Sequence, residues 1–162
     1  MKSIWRASVR DDLRARLARL TPDSKAQWGR MTAPQMVCHL TDSFLGVMGE
    51  RGSRSATESE TAQATAPIPA SFRQRMMKLV ALRLPMPWPH GVKTRAEVDQ
   101  EKGGTPPGDF AADVAALERT CERFARDHRE RAPHFMFGPL TSEEWNRWGY
   151  RHMDHHLRQF GL

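Results

Sequence analysis

The residue types that do chemistry gather at the C-terminal end, in Thr141-Ser-Glu-Glu-Trp-Asn-Arg-Trp-Gly-Tyr-Arg-His-Met-Asp-His-His-Leu-Arg-Gln-Phe-Gly-Leu162. His152 and His156 stand four residues apart, so on a helix they share a face and their rings can converge on one point. Imidazole nitrogen binds zinc, nickel, iron or copper, and two histidines at this spacing are a standard way for one helix to offer two ligands. His155 lies about 100° round the helix from His156 and is the rival second ligand. The competing reading is that these are core histidines hydrogen-bonded to a carbonyl or a carboxylate. A third ligand elsewhere in the chain decides between the two, and His39 is the candidate.

The elements that must position these residues follow from caps and periodicity. Thr141 with Glu144 is a capping box, which predicts a helix over 142–159 with Trp145, Gly149, His152, His156 and Gln159 or Phe160 on one stripe. Thr32 with Gln35 is a second capping box, with Pro34 tolerated in the first turn. It predicts a helix over 33–49 whose inward stripe reads Met36, His39 with Leu40, Ser43 with Phe44, and Val47. Ser8 with Asp11 predicts a first helix over 9–20, burying Leu13, Leu17 and Leu20. Asp109 caps a helix over 110–128 that carries Phe110, Val114, Leu117, Cys121 and Phe124.

Between the second and fourth of these helices lies a long crossover. Residues 50–69 are polar, small and aperiodic, as expected of a surface loop. A helix over 71–84 follows, with Phe72, Met76, Leu79, Val80 and Arg83 on one side, and Pro85, Pro87 and Pro89 end it. No strand and no internal repeat is predicted. The expected fold is all-α, a single domain over 1–162. In it, four long helices (9–20, 33–49, 110–128, 142–159) form a bundle and the crossover carries an extra one.

Composition excludes several classes. Cys38 and Cys121 cannot make a disulfide framework and are expected reduced and buried. No signal-like or membrane-spanning run occurs, which predicts a soluble, cytoplasmic protein. The net charge of +6 permits nucleic-acid binding, the third reading of function. The arginines are interleaved with Asp and Glu along the helices, however, as in Ser8 to Arg19, and no groove-reading or base-stacking motif accompanies them.

Three motifs carry a resemblance. They are Trp28-Gly-x-Met31-Thr-x-x-Gln-Met36-x-x-His39-Leu, Phe137-Gly-x-Leu140-x-x-x-Glu144-Trp145, and Tyr150-x-His152-x-x-His155-His156-Leu-x-Gln159-Phe160. Together they resemble the DinB-like (YfiT-like) metal-binding four-helix bundles, most closely an uncharacterised branch with a His-rich last helix. Trp88-Pro-His-Gly91 and Thr105-Pro-Pro107 fit the same branch. The resemblance implies a bundle with an unusual connection order, often a homodimer. It also implies a divalent metal held by His39, His152 and His156, zinc or nickel first, iron or manganese as alternatives. Some relatives are transferases or isomerases dependent on a low-molecular-weight thiol.

Three neutral imidazoles leave coordination positions open, the layout of a catalytic site. An ion there lowers the pKa of bound water for hydrolysis of a small-molecule substrate, or activates a thiol. The sequence offers no evident general base, so the catalytic residues stay unassigned. The runner-up reading is a non-catalytic metal- or ligand-binding protein. Asp154 and Glu144 are candidates to orient a ligand imidazole but are expected to face solvent, Glu144 as the capping partner. Gln159 and Tyr150 are candidates to line the pocket. Cys38 points about 100° away from His39, against a thiolate ligand. His90, His128 and His134 are expected at the surface, and Trp28, Trp145 and Trp148 in the core.

Overall fold

The capping boxes read from the sequence set the starts of the two helices that matter most. In the computed structural model, which describes residues 1–51, 72–92, 94–127, 131 and 133–162, Thr141 Oγ1 accepts from the Glu144 amide at 3.2 Å. Glu144 Oε2 accepts in return from the Thr141 amide at 3.0 Å. Thr32 and Gln35 repeat the arrangement at 3.3 and 2.9 Å. Each box satisfies amides that would otherwise lack an intrahelical partner. The helices among the described residues are α1 (Ala7–Leu17), α2 (Ala33–Val47), α3 (Phe72–Arg83), α4 (Phe110–Arg126) and α5 (Ser142–Gln159). A single 3-10 turn, Ala96–Val98, lies in the connection before α4. Asp109 caps α4 by accepting from the Ala112 amide at 2.9 Å.

Two helices are set by tertiary contacts rather than by local signals. Helix α1 begins at Ala7, with Arg6 at the cap position and no side-chain cap, so Ser8 lies inside the helix. Tertiary bonds set its entry instead. The Ile4 amide donates to Asn146 O on α5 at 3.2 Å, and Arg10 Nη1 donates to Ile4 O at 2.6 Å. Helix α3 turns Phe72, Met76, Leu79 and Val80 outward and buries only Leu82 among its residues. Polar latches hold it in place. Lys78 Nζ donates to Glu144 Oε2 at 3.1 Å, and Trp88 Nε1 donates to Ala81 O at 2.8 Å. The expected loop over 50–69, the Ser71 start and His128 lie largely or wholly outside the described residues.

The core forms where α2, α4 and α5 meet. Phe44, Phe124 and Trp148 pack with ring centres 4.8, 5.9 and 6.0 Å apart. Burial of a side chain of this kind contributes about 1.5–3 kcal/mol. Leu13 and Leu17 of α1 close the same cluster from the other side, as the sequence predicts. No strand occurs among the described residues; His134 and Gly138 make one isolated bridge. No described helix is long and apolar enough to cross a membrane.

Gly149 is what lets α5 approach this core. A Cβ there would stand 2.5 Å from Ile4 Cδ1 and 3.1 Å from Phe44 Cε1. Ile4 and Phe44 are both fully buried and have little room to yield. Alanine in place of glycine favours the helix by about 1 kcal/mol, while overpacking costs about 1–3 kcal/mol. Gly149→Ala is therefore expected to lower the thermal midpoint, measured by circular dichroism. A raised midpoint would show that Ile4 swings aside.

Candidate metal centre

His39 sits in the middle of α2, and α2 packs on α5 where His152 and His156 face it. The three ring centres make a near-equilateral triangle with sides of 5.2, 4.8 and 5.0 Å. One nitrogen from each ring lies within 4.8 Å of the other two. His39 Nε2 and His152 Nε2 are 3.2 Å apart. Two nitrogens bound to one zinc at 2.0–2.1 Å and a tetrahedral angle would be about 3.3 Å apart. The observed separation of this pair is the one a shared ion requires.

Hydrogen bonds on the far side of two rings decide where the lone pairs point. His39 Nδ1 lies 2.7 Å from Val98 O. A carbonyl only accepts, so Nδ1 carries the proton and a neutral His39 presents its Nε2 lone pair to the cluster. His156 Nδ1 lies 2.9 Å from Gln159 Oε1, and Gln159 Nε2 donates to Trp28 O at 2.8 Å. The Trp28 carbonyl requires the amide nitrogen on its side, so Gln159 turns its oxygen to His156, whose Nε2 is then unprotonated as well. Gly29 makes this possible: it has φ of 78°, and a Cβ there would stand 2.8 Å from Gln159 Nε2. His152 differs, with a buried Nδ1 that has no hydrogen-bond partner among the described residues. His39 and His156 both turn lone pairs inward, and His152 Nε2 has at most one hydrogen to offer them, so the metal-free cluster leaves an inward nitrogen without a donor from these rings. That is a poor way to fill a core. The donor set fits a divalent ion better than it fits a packing role.

The Val98 carbonyl is itself held from α2. Asp42, fully buried one turn after His39, accepts from the Thr105 amide and hydroxyl at 2.7 Å each and from Gln100 Nε2 at 3.0 Å. It also pairs with Arg51, whose guanidinium donates to Thr105 Oγ1 and Gly103 O at 2.6 Å each. These bonds clamp the connection that carries Val98 onto α2. Sequence reading misses this carboxylate, although an acid on a core-facing helix needs buried partners and so was a signal.

Desolvation is the leading cause that lowers the pKa of all three histidines. At His152 the neighbouring imidazoles add to it. Neutral imidazole is the form that binds metal. His155 is left outside the triangle: its ring faces Trp28, Trp88 and His90 at about 6.0 Å.

Several expectations are corrected. Asp154 and Glu144 are buried rather than solvent-facing. Asp154 takes Arg16 Nη1 and Arg158 Nε at 2.8 Å each, and Glu144 is shared by the cap and Lys78. Neither bonds an imidazole of the cluster. His134 is buried against Phe137, with ring centres 4.4 Å apart, and burial pushes its pKa down to about 4, helped by Arg95. His90 is exposed as expected and stacks on Trp28 at 4.0 Å. Trp28 is therefore a partly exposed pocket wall and not a core residue, while Trp145 and Trp148 are buried. Tyr150 is buried and lies under Lys2. Cys38 donates to Asp113 at 3.6 Å, and burial with that carboxylate pushes its thiol up to about 11. Burial likewise raises Cys121 to about 12. Both are poor thiolates at neutral pH.

The family model described as "Protein of unknown function (DUF1569)" matches residues 7–161. No curated protein and no solved structure matches the chain.

Proposed function

This chain belongs to the DUF1569 family, and from its site we propose that it is a metal-dependent enzyme with one divalent ion held by His39, His152 and His156. The observation that carries the reading is the convergence of the three rings, with the far-side hydrogen bonds of His39 and His156 turning their lone pairs inward. The arrangement of helices supports placing the family with the DinB-like four-helix bundles. A divalent ion in a three-imidazole site supplies Lewis acidity at its open positions and lowers the pKa of a water or thiol there.

The chain's own groups favour one branch of that chemistry. Hydrolysis calls for a base near the ion; Asp99, the carboxylate whose charge reaches His39, already takes Lys102 and the Glu101 amide, while Asp154 is engaged by two arginines and Glu144 by its cap and Lys78. Transfer to or from a low-molecular-weight thiol needs no such base, because the ion's charge alone favours the thiolate. The thiol would come from outside, since Cys38 and Cys121 are held protonated. The engaged carboxylates also leave room for the second reading, a metal-binding protein without catalysis. We place it in the cytoplasm, with homodimer formation as a further expectation.

The test is elemental analysis of the purified, untagged protein beside His39→Ala. The expected result is about one divalent ion per chain in the wild type and none in the folded variant. No metal after reconstitution with zinc, nickel, manganese and iron would overturn the reading. With metal bound, thiol-dependent turnover lost in His39→Ala separates enzyme from binder.

A further inference from the structure

Beside the histidine triangle lies a small pocket lined by Trp28, Trp88, His90, Arg151, Asp154, His155 and Arg158, in which one carboxylate faces two guanidinium groups. Trp88 is the wall it shares with the triangle, with its ring 6.1 Å from His152 and 6.0 Å from His155. Arg151 is the unusual member. Its Nε donates to Ala81 O at 3.1 Å and its Nη2 to Met86 O, and the guanidinium rests on the Trp88 ring at 5.8 Å. Those bonds fix the side chain, yet no carboxylate among the described residues lies within ion-pair distance of it. The nearest acid by sequence, Asp154, is taken by Arg16 on one oxygen and Arg158 on the other.

A partly buried guanidinium without a counter-ion is costly to keep unless something external neutralises it. We propose that this pocket is an oxyanion subsite, in which Arg151 Nη1 donates to a carboxylate or phosphate group on the ligand. A planar, doubly donating cation suits both groups. Arg158 and the His155 ring line the same pocket. The walls leave little room beyond the anionic head itself, so the rest of the ligand extends toward solvent or past Trp88 to the triangle. As a device for orienting substrate, the subsite rests on the metal reading above; as an anion site, it stands without the metal.

A purely structural role for Arg151 is the alternative, because Ala81 O lies in the last turn of α3, where a cation is favoured, and Met86 O lies in the segment that follows it. That role predicts no response to anions. The test uses metal-free protein titrated with sodium acetate and, separately, sodium phosphate against sodium chloride at constant ionic strength. The indole N–H signals of Trp28 and Trp88 and the Arg151 guanidinium signals are followed by NMR. Saturable shifts that include Arg151 are expected with at least one of the two anions. Tighter acetate binding would assign a carboxylate ligand, and tighter phosphate binding a phosphate ester. Arg151→Met should bind about tenfold more weakly or worse, while Arg6→Met, which removes an exposed positive charge, should match the wild type.

The proposal is overturned if the wild type shows no saturable shift, or if folded Arg151→Met binds as tightly. Fixed Arg151 signals while the indoles move would also overturn it, and this measurement needs no variant to fold. Metal content is read separately, so loss of the metal reading leaves this outcome intact.

Discussion

His152→Ala and His156→Ala are each expected to weaken zinc binding about 100-fold or more, whereas His155→Ala should largely keep it. The estimate divides the roughly 10–16 kcal/mol of a structural zinc site over its ligands. The geometry sets the direction. His152 and His156 close the triangle with His39, while His155 turns to Trp28, Trp88 and His90. Competition against a chromogenic chelator reads the affinities. Loss in His155→Ala with retention in His156→Ala would show that the pair has been assigned to the wrong residues.

The pH dependence of the same site has a definite sign. In the folded, metal-free protein the three histidines have pKa values below the ordinary 6.5. The unfolded chain therefore binds more protons as the pH falls below 6.5. Stability associated with the neutral rings is fully present above that value and is lost on acidification toward the depressed folded pKa values. Above 6.5 the rings are already neutral, so zinc affinity should be nearly flat there and should fall in acid. In metal-free His152→Ala, the acid-side slope of stability should be shallower than in the wild type.

The second large effect is expected at Asp42. Asp42→Ala leaves Arg51, Thr105 and Gln100 without their acceptor in a place shielded from water. Removing one partner of a buried charged network costs about 3–5 kcal/mol, which is a large part of the stability of a domain this size. Asp42→Asn keeps the shape but offers its amide nitrogen where donors already point. It should cost less stability and weaken zinc binding about 10-fold, because the Val98 carbonyl that fixes the His39 ring is no longer clamped. Thermal melts with and without zinc separate the two effects. An Asn variant with wild-type zinc affinity would show that Val98 holds its place without the clamp.

The local rules that need only neighbours in the chain were legible. Both capping boxes, the Asp109 cap, the helical periods and the apolar stripes of α2, α4 and α5 appear at the residues that predict them. So did the pairing of His152 with His156, since spacing on one helix is a property of one segment. Local rules failed where a distant contact outweighed them. Ser8 does not cap α1 because Asn146 and Arg10 fix the chain entry first. The apolar residues of α3 face outward because latches to Glu144 and the Ala81 carbonyl set its orientation. Asp154 and Glu144 became buried because partners far along the chain, Arg16 and Lys78, came to them.

By itself, then, the sequence determined which segments are helical, where α2, α4 and α5 begin, and which histidines share a face. All of this follows from backbone geometry and from side chains within a few residues of one another. Tertiary structure decided that His39 meets the other two, and which nitrogen of His39 and of His156 faces inward. Those protons are set by the Val98 carbonyl and by the Trp28 carbonyl acting through Gln159, groups 59 and 131 residues away from the side chains they orient. A carbonyl belongs to every residue type and leaves no mark in a sequence, so only the folded chain can place it.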